Sequence, residues 1–131
     1  MAANRRKRLT YTLGVIAVLL TTAPAFAASP VGTWRGNWIS GSTGHRGTLR
    51  ANIRQTGPDS YRALFYGRFA VVVPFVYPAN LQRVPGSCQC YTSRQKLPLL
   101  GTYRMTANVT EHRFNATFRG KKDVGTFDMS R

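Results

Sequence analysis

Gly47-Thr48-Leu49-Arg50-Ala51-Asn52-Ile53-Arg54-Gln55 and Tyr61-Arg62-Ala63-Leu64-Phe65-Tyr66-Gly67-Arg68-Phe69 decide the fold. In the first stretch Leu49, Ala51 and Ile53 fall on one side and Arg50, Asn52 and Arg54 on the other. In the second, Tyr61, Ala63, Phe65, Gly67 and Phe69 oppose Arg62, Leu64, Tyr66 and Arg68. Side chains along a strand point alternately to its two faces, so a period of two with one apolar and one polar set marks strands with a core on one side only. Thr56-Gly57-Pro58-Asp59 between them supplies turn residues, and the pair reads as a hairpin.

The same pattern spreads in both directions. Tyr103, Met105, Ala107 and Val109 are set against Thr102, Arg104, Thr106 and Asn108, and Phe114, Ala116 and Phe118 against Arg113, Asn115, Thr117 and Arg119. No segment carries a helical period. About eight strands are predicted, at 32–39, 46–55, 60–69, 71–78, 80–85, 88–93, 100–109 and 112–119, with 123–130 as a candidate ninth. Short connections in chain order favour an antiparallel meander. Pro74 confines its own segment to an edge or a bulge. Gly-Thr followed by a large side chain recurs at Gly32-Thr33-Trp34, Gly47-Thr48-Leu49, Gly101-Thr102-Tyr103 and Gly125-Thr126-Phe127, as expected where a sheet bends and makes room for bulk across its core. The fold class is therefore all-β, a meander closing or nearly closing into a small barrel, which removes exposed edges.

The first 27 residues read as a leader. A charged Asn4-Arg5-Arg6-Lys7-Arg8 precedes the apolar Leu13 to Leu20 and a small-x-small site, Ala25-Phe26-Ala27. Thr21, Thr22 and Pro24 interrupt the apolar run well short of the ~20 residues a membrane span needs. The expectation is cleavage after Ala27, export to a periplasmic, cell-envelope or secreted location, and a single domain at 28–131 that is not transmembrane. The leader holds four of the 19 basic residues and none of the 4 acidic ones, leaving the domain 15 basic side chains, 12 of them Arg, and a formal charge of +11. A surplus of this size argues for an anionic partner or surface, to which Arg suits bidentate pairing with phosphate or carboxylate; the alternative is general basicity of a soluble, evenly charged exterior.

Gly32-Thr33-Trp34 at the start of the first strand resembles the Gly-x-Trp signature of the lipocalin and avidin-type, calycin-like barrels. A wider set resembles a group of small uncharacterised exported proteins of planctomycete bacteria: Gly32-x-Trp34-x-Gly36-x-Trp38, Thr43-Gly44-His45-x-Gly47-x-Leu49-Arg50-Ala51, Tyr61-Arg62-Ala63-x-Phe65-x-Gly67-Arg68-Phe69, Val73-Pro74-Phe75-x-Tyr77 and Gly125-x-Phe127-x-Met129-x-Arg131. That resemblance implies a shared fold and carries over no activity or site residue.

Few side chains are suited to chemistry. The domain has Asp59, Asp123, Asp128, Glu111, His45 and His112 as its acids and imidazoles. Asp59 and Asp123 sit in turns, Asp128 is expected to pair with an Arg, and Glu111 and His112 begin a strand and so face opposite sides. With no nucleophile elbow, phosphate loop or His-x-x-x-His spacing, the expectation is no enzyme, no catalytic residue, no cofactor and no metal. His45 lies in a loop where it either serves recognition or bonds within the turn. Cys88 and Cys90 are a candidate disulfide or redox pair. In an extended strand they lie ~6.6 Å apart and a bridge needs Cβ atoms at about 3.8 Å, so bridging requires the kink that Pro85-Gly86-Ser87 could supply. The alternatives are two incidental thiols or a soft-metal site completed by His45 or His112.

The outward set Arg50, Arg54, Arg62, Arg68, Arg104, Arg113 and Arg119 is the main candidate site, a basic wall for a lipid headgroup or acidic polysaccharide of the envelope. Only Tyr66 interleaves for base stacking, which disfavours sequence-specific nucleic acid. The alternatives are a small apolar ligand in a cavity lined by Trp34, Trp38, Phe65, Phe69 and Tyr103, and a secreted inhibitor or partner module acting through loops 40–46 and 84–98.

Overall fold

Alternation becomes architecture as eight antiparallel strands: β1 (Gly32–Ser40), β2 (Arg46–Gln55), β3 (Ser60–Phe69), β4 (Val73–Arg83), β5 (Cys90–Leu97), β6 (Gly101–Val109), β7 (Arg113–Arg119) and β8 (Val124–Ser130). Each pairs with its neighbour in sequence, and β8 returns to β1, so the meander closes as a barrel. The computed structural model describes residues 28–69 and 73–131; the leader expected at 1–27 lies outside the described residues. Among the described residues the strand pairings close a complete ring.

A rule of small opposite large fills the interior. Across neighbouring strands Ala51 faces both Trp34 and Phe65, Ala107 faces Tyr91, and Ala116 faces Phe127. Gly67 faces Phe75 and Gly125 faces Phe118, and a Cβ on either glycine would overlap its partner's ring. An eight-stranded barrel is just wide enough for side chains to fill it, and alternating sizes let rings from several strands share the axis without leaving voids. Trp34, Phe65, Tyr91 and Phe114 are fully buried in that core.

The strands expected at 71–78 and 80–85 form one strand, β4, and β5 starts at Cys90 and runs to Leu97 rather than spanning 88–93. Proline parity explains the first difference. Arg83 N donates to Asp59 O on the β3 side, whereas Val84 N donates to Cys90 O on the β5 side, so even-numbered residues of β4 turn their backbone groups toward β5. Pro74 and Pro78 are both even and lack only donors that β3 never needed, so the β3 ladder runs unbroken from Ser60↔Gln82 to Phe69↔Val73. The effect falls on the other side. β4 and β5 pair only at Gln82↔Thr92 and Arg83↔Tyr91.

The two ends of the barrel differ. At the lower end residues 28–31 lie over the core: Trp34 Nε1 donates to Pro30 O at 2.8 Å and Tyr91 Oη to Ala28 O at 3.2 Å. Arg131 fastens this cap. Its guanidinium sits 4.2 Å from the Trp34 ring centroid and donates to the carbonyls of Ser29, Val31 and Glu111. The upper end, with connections 41–45, 98–100 and 120–123, is rimmed by Phe69, Val73, Leu99 and Leu100, all exposed.

Candidate anion-binding surface

The outer wall follows from strand parity. Residues between the inward-facing ones turn outward, and register decides which of them stand side by side. Arg35 is paired directly with Arg50, Arg54 with Arg62, Arg94 with Arg104, and Arg104 with Arg119. Like charges directly opposite in an antiparallel pair are destabilising, and this wall contains four such pairs. Among the described residues none of these seven arginines has a carboxylate within 4.0 Å; the carboxylate contacts are Arg83 with Asp59 at 3.3 Å, Arg113 with Asp128 at 3.4 Å, and His112 with Glu111 at 4.0 Å. Arg62 donates to Asn80 Oδ1 at 2.9 Å, a neutral partner that leaves its charge in place.

In the ring order β2 and β6 lie across from each other, so the arginines form two faces, one on β1–β3 and one on β5–β7, separated by β4 and β8. Shallow depressions in these faces carry guanidinium groups in twos: Arg54 with Arg62 beside Leu64, Arg50 with Arg68 beside Tyr66 and Pro74, and Arg94 with Arg104 beside Asn80 and Gln82. Two forked donors round one concavity suit a phosphate, sulfate or carboxylate.

Of the expected wall, Arg50, Arg54, Arg62, Arg104 and Arg119 are gathered as described, and Arg68 stands at the upper end of the first face. Arg113 is outward but drawn to Asp128, the pairing expected for that carboxylate. Arg35 and Arg94 belong to the wall and were missed. Each has an available signal: Arg35 alternates with Trp34 and Gly36 in β1, and Arg94 lies in the part of β5 that the strand prediction ended too early.

The aromatic candidates for a cavity pack against one another. Phe65 lies with ring centroids 5.1 Å from Phe127, 5.7 Å from Tyr77 and 6.0 Å from Phe114, and Trp34 is 5.7 Å from Phe114. Trp38, stacked on Phe69 at 6.2 Å, and Tyr103, stacked on Phe118 at 6.4 Å, belong to the upper half. Trp34, Phe65 and Tyr103 thus join one ring network with Phe114, Phe118, Phe127 and Tyr77, whereas Trp38 and Phe69 belong to a second with Phe75 and His45, in which Phe69 is exposed at the rim. Two buried hydroxyls, Tyr77 Oη and Ser93 Oγ, lack a hydrogen-bond partner among the described residues, and both stand on the strands flanking the narrow β4–β5 pairing.

Burial pushes the Tyr77 phenol up to about 12, with Tyr103 adding to the shift; burial does the same to Tyr91, also about 12, while nearby Arg83 pulls it back. An unfolded tyrosine titrates near 10, so the folded state holds these protons more tightly. Stability is then complete below about pH 10 and falls between about pH 10 and 12, by ~1.4 kcal/mol per pH unit for each phenol. Urea unfolding at about pH 9 and about pH 11 is expected to show this fall, and Tyr77→Phe should reduce it; equal midpoints in wild type would contradict the burial.

Cys88 and Cys90 are unbridged, Cys88 exposed in the loop and Cys90 half-buried at the start of β5. The kink expected at Pro85-Gly86-Ser87 exists: Gly86 has φ 78° and Ser87 N donates to Val84 O. His45 stands at the upper end, edge-on to Phe69 at 4.5 Å, away from the lower loop that carries the cysteines. No cluster of three metal-ligating side chains occurs among the described residues. Glu111 and His112 do not begin a strand on opposite faces; β7 starts one residue later, and both lie exposed in the turn before it. No protein-family model matches the chain, and no curated protein matches it.

Proposed function

We propose that this is an exported, non-enzymatic protein of the cell envelope whose arginine-bearing faces dock on an anionic surface. The observation that carries the reading is the set of four directly opposed Arg–Arg pairs without a carboxylate partner among the described residues. A fold that needed only solubility gains nothing from placing its cations in facing registers, where each repels the next. An array of phosphate or carboxylate groups reverses the sign of that cost. The polarity of the wall supports docking rather than spanning, since a bilayer-spanning barrel presents an apolar band outward and this one presents Arg, Thr and Asn.

The test is binding of residues 28–131 to anionic vesicles, neutral vesicles and an acidic polysaccharide across a salt titration. Binding is expected on anionic carriers alone and should fade as salt rises. Replacing Arg35, Arg50, Arg54 and Arg62 together by Gln should weaken it about a hundredfold, from a contribution of ~1 kcal/mol per cation with part of the set out of reach of the surface. Unchanged binding by that variant, or none by wild type at low salt, sinks the reading.

A further inference from the structure

We infer that the upper end of the barrel is a lipid-docking end: it seats the protein end-on against an anionic bilayer, with Leu99 and Leu100 entering the headgroup region and a ring of cations meeting the phosphates. The inference rests on the proposed function for the anionic surface and narrows it: on lipid the upper rim makes the contact, and the arginine faces act through the net charge they add.

Leu99 carries the argument. Leu100 N donates to Leu97 O at 3.3 Å, closing a tight turn with Pro98 and Leu99 at its centre, and Leu99 has φ 65°. That is the position of a turn where Gly or Asn is expected, because an L side chain in the left-handed region clashes with its own backbone. Leu99 is also wholly exposed, Leu100 is 58% exposed, and on the same rim Val73 is 53% exposed. A strained backbone and an uncovered large apolar side chain at one residue are two separate costs to the isolated fold, and such outliers concentrate where a ligand or surface is met.

Charge complementarity names the occupant. Around this rim stand Arg46, Arg68, Lys96, Arg119, Lys121 and Lys122, all exposed. Its sole carboxylate among the described residues, Asp123, accepts a hydrogen bond from Ser40 Oγ at 2.6 Å. The other three carboxylates lie in the lower half, where Asp59 and Asp128 occupy Arg83 and Arg113 and the Arg131 guanidinium is spent on carbonyls. Arg35, Arg54 and Arg62 in the lower half also lack a carboxylate, but three of the four carboxylates are there. The upper end, with six cations to one carboxylate, therefore has the larger positive surplus and shares it with bare apolar side chains. Apolar tips ringed by Lys and Arg are what an interface-seated protein presents to anionic lipid. A second copy meeting this end would set the two cation rings against each other.

The experiment compares residues 28–131 with the Leu99→Asn, Leu100→Asn variant on vesicles of phosphatidylglycerol with phosphatidylcholine, on phosphatidylcholine alone and on polygalacturonate, with sedimentation velocity in parallel. Asn tolerates the left-handed region, so this variant should melt no lower than wild type. It should bind the anionic vesicles about tenfold more weakly while keeping its hold on the polysaccharide. In a Leu99→Trp variant, the emission of the added indole should shift to the blue on anionic vesicles and be quenched by lipids brominated in the acyl chain. Vesicle binding unaltered by the double Asn variant, or an added indole whose emission stays aqueous while the protein is bound, overturns end-on docking and leaves the arginine faces as the contact. A dimer dispersed by the double variant overturns it in favour of self-association. Absence of wild-type binding to either anionic carrier at low salt removes the proposed function with it.

Discussion

Phe65→Ala is expected to lower the unfolding free energy by about 3–5 kcal/mol. The ring is fully buried at the centre of the stack, in contact range of Tyr77, Phe114 and Phe127. Its cross-strand neighbours are Ala51 and Tyr77; the alanine is too short to reach into the space left and the tyrosine is held in the same stack. Interiors packed like crystals cannot collapse round a missing ring, so the lost transfer free energy and the cavity both count. Urea denaturation at neutral pH measures it. A loss below about 1 kcal/mol would mean that the interior is loosely filled, and would return the small-ligand reading to consideration.

The second large effect is on closure. Gly36 in β1 is paired with Met129 in β8, and a Cβ there would run into the Asp128 carbonyl and the Met129 Cα. These are backbone atoms of the partner strand and have no rotamer to change. Gly36→Ala is therefore expected to push β1 off β8 and cost about 3 kcal/mol or more, at the upper end of overpacking penalties. Gly44→Asn is the control: that glycine has φ 74° with nothing near its Cβ direction, and Asn tolerates the conformation. Thermal unfolding followed in the near-ultraviolet reads both. A Gly36→Ala protein melting like wild type would show that β1 and β8 do not approach as closely as described.

Alternation made most of this fold readable, because Leu49, Ala51 and Ile53 against Arg50, Asn52 and Arg54 allow one period and one buried face. The β4 segment was read as two strands because proline parity depends on which neighbour each backbone group faces, a property of register and not of composition. The filled interior had its sign in Ala51, Ala107 and Ala116, but a small residue reports space for a ring only once the strand beside it is known. For the surface, outward orientation of the arginines could be read one strand at a time. Their facing registers required the pairings, and so did the cation ring at the upper end, since Arg46, Lys96 and Lys121 are far apart in the chain.

The brief pairing of β4 with β5 gives the barrel a direction in which it breathes. Opened there, the ring is a continuous strip from β5 round through β8 and β1 to β4, latched by two residue pairs. Pro74 and Pro78 remove two of the donors that the parted edge of β4 would present, which blunts it against adding a strand from another chain. Local opening costs least where backbone pairing is sparsest. Amide exchange is therefore expected to be fastest along this line, where the unpartnered hydroxyls of Tyr77 and Ser93 also lie.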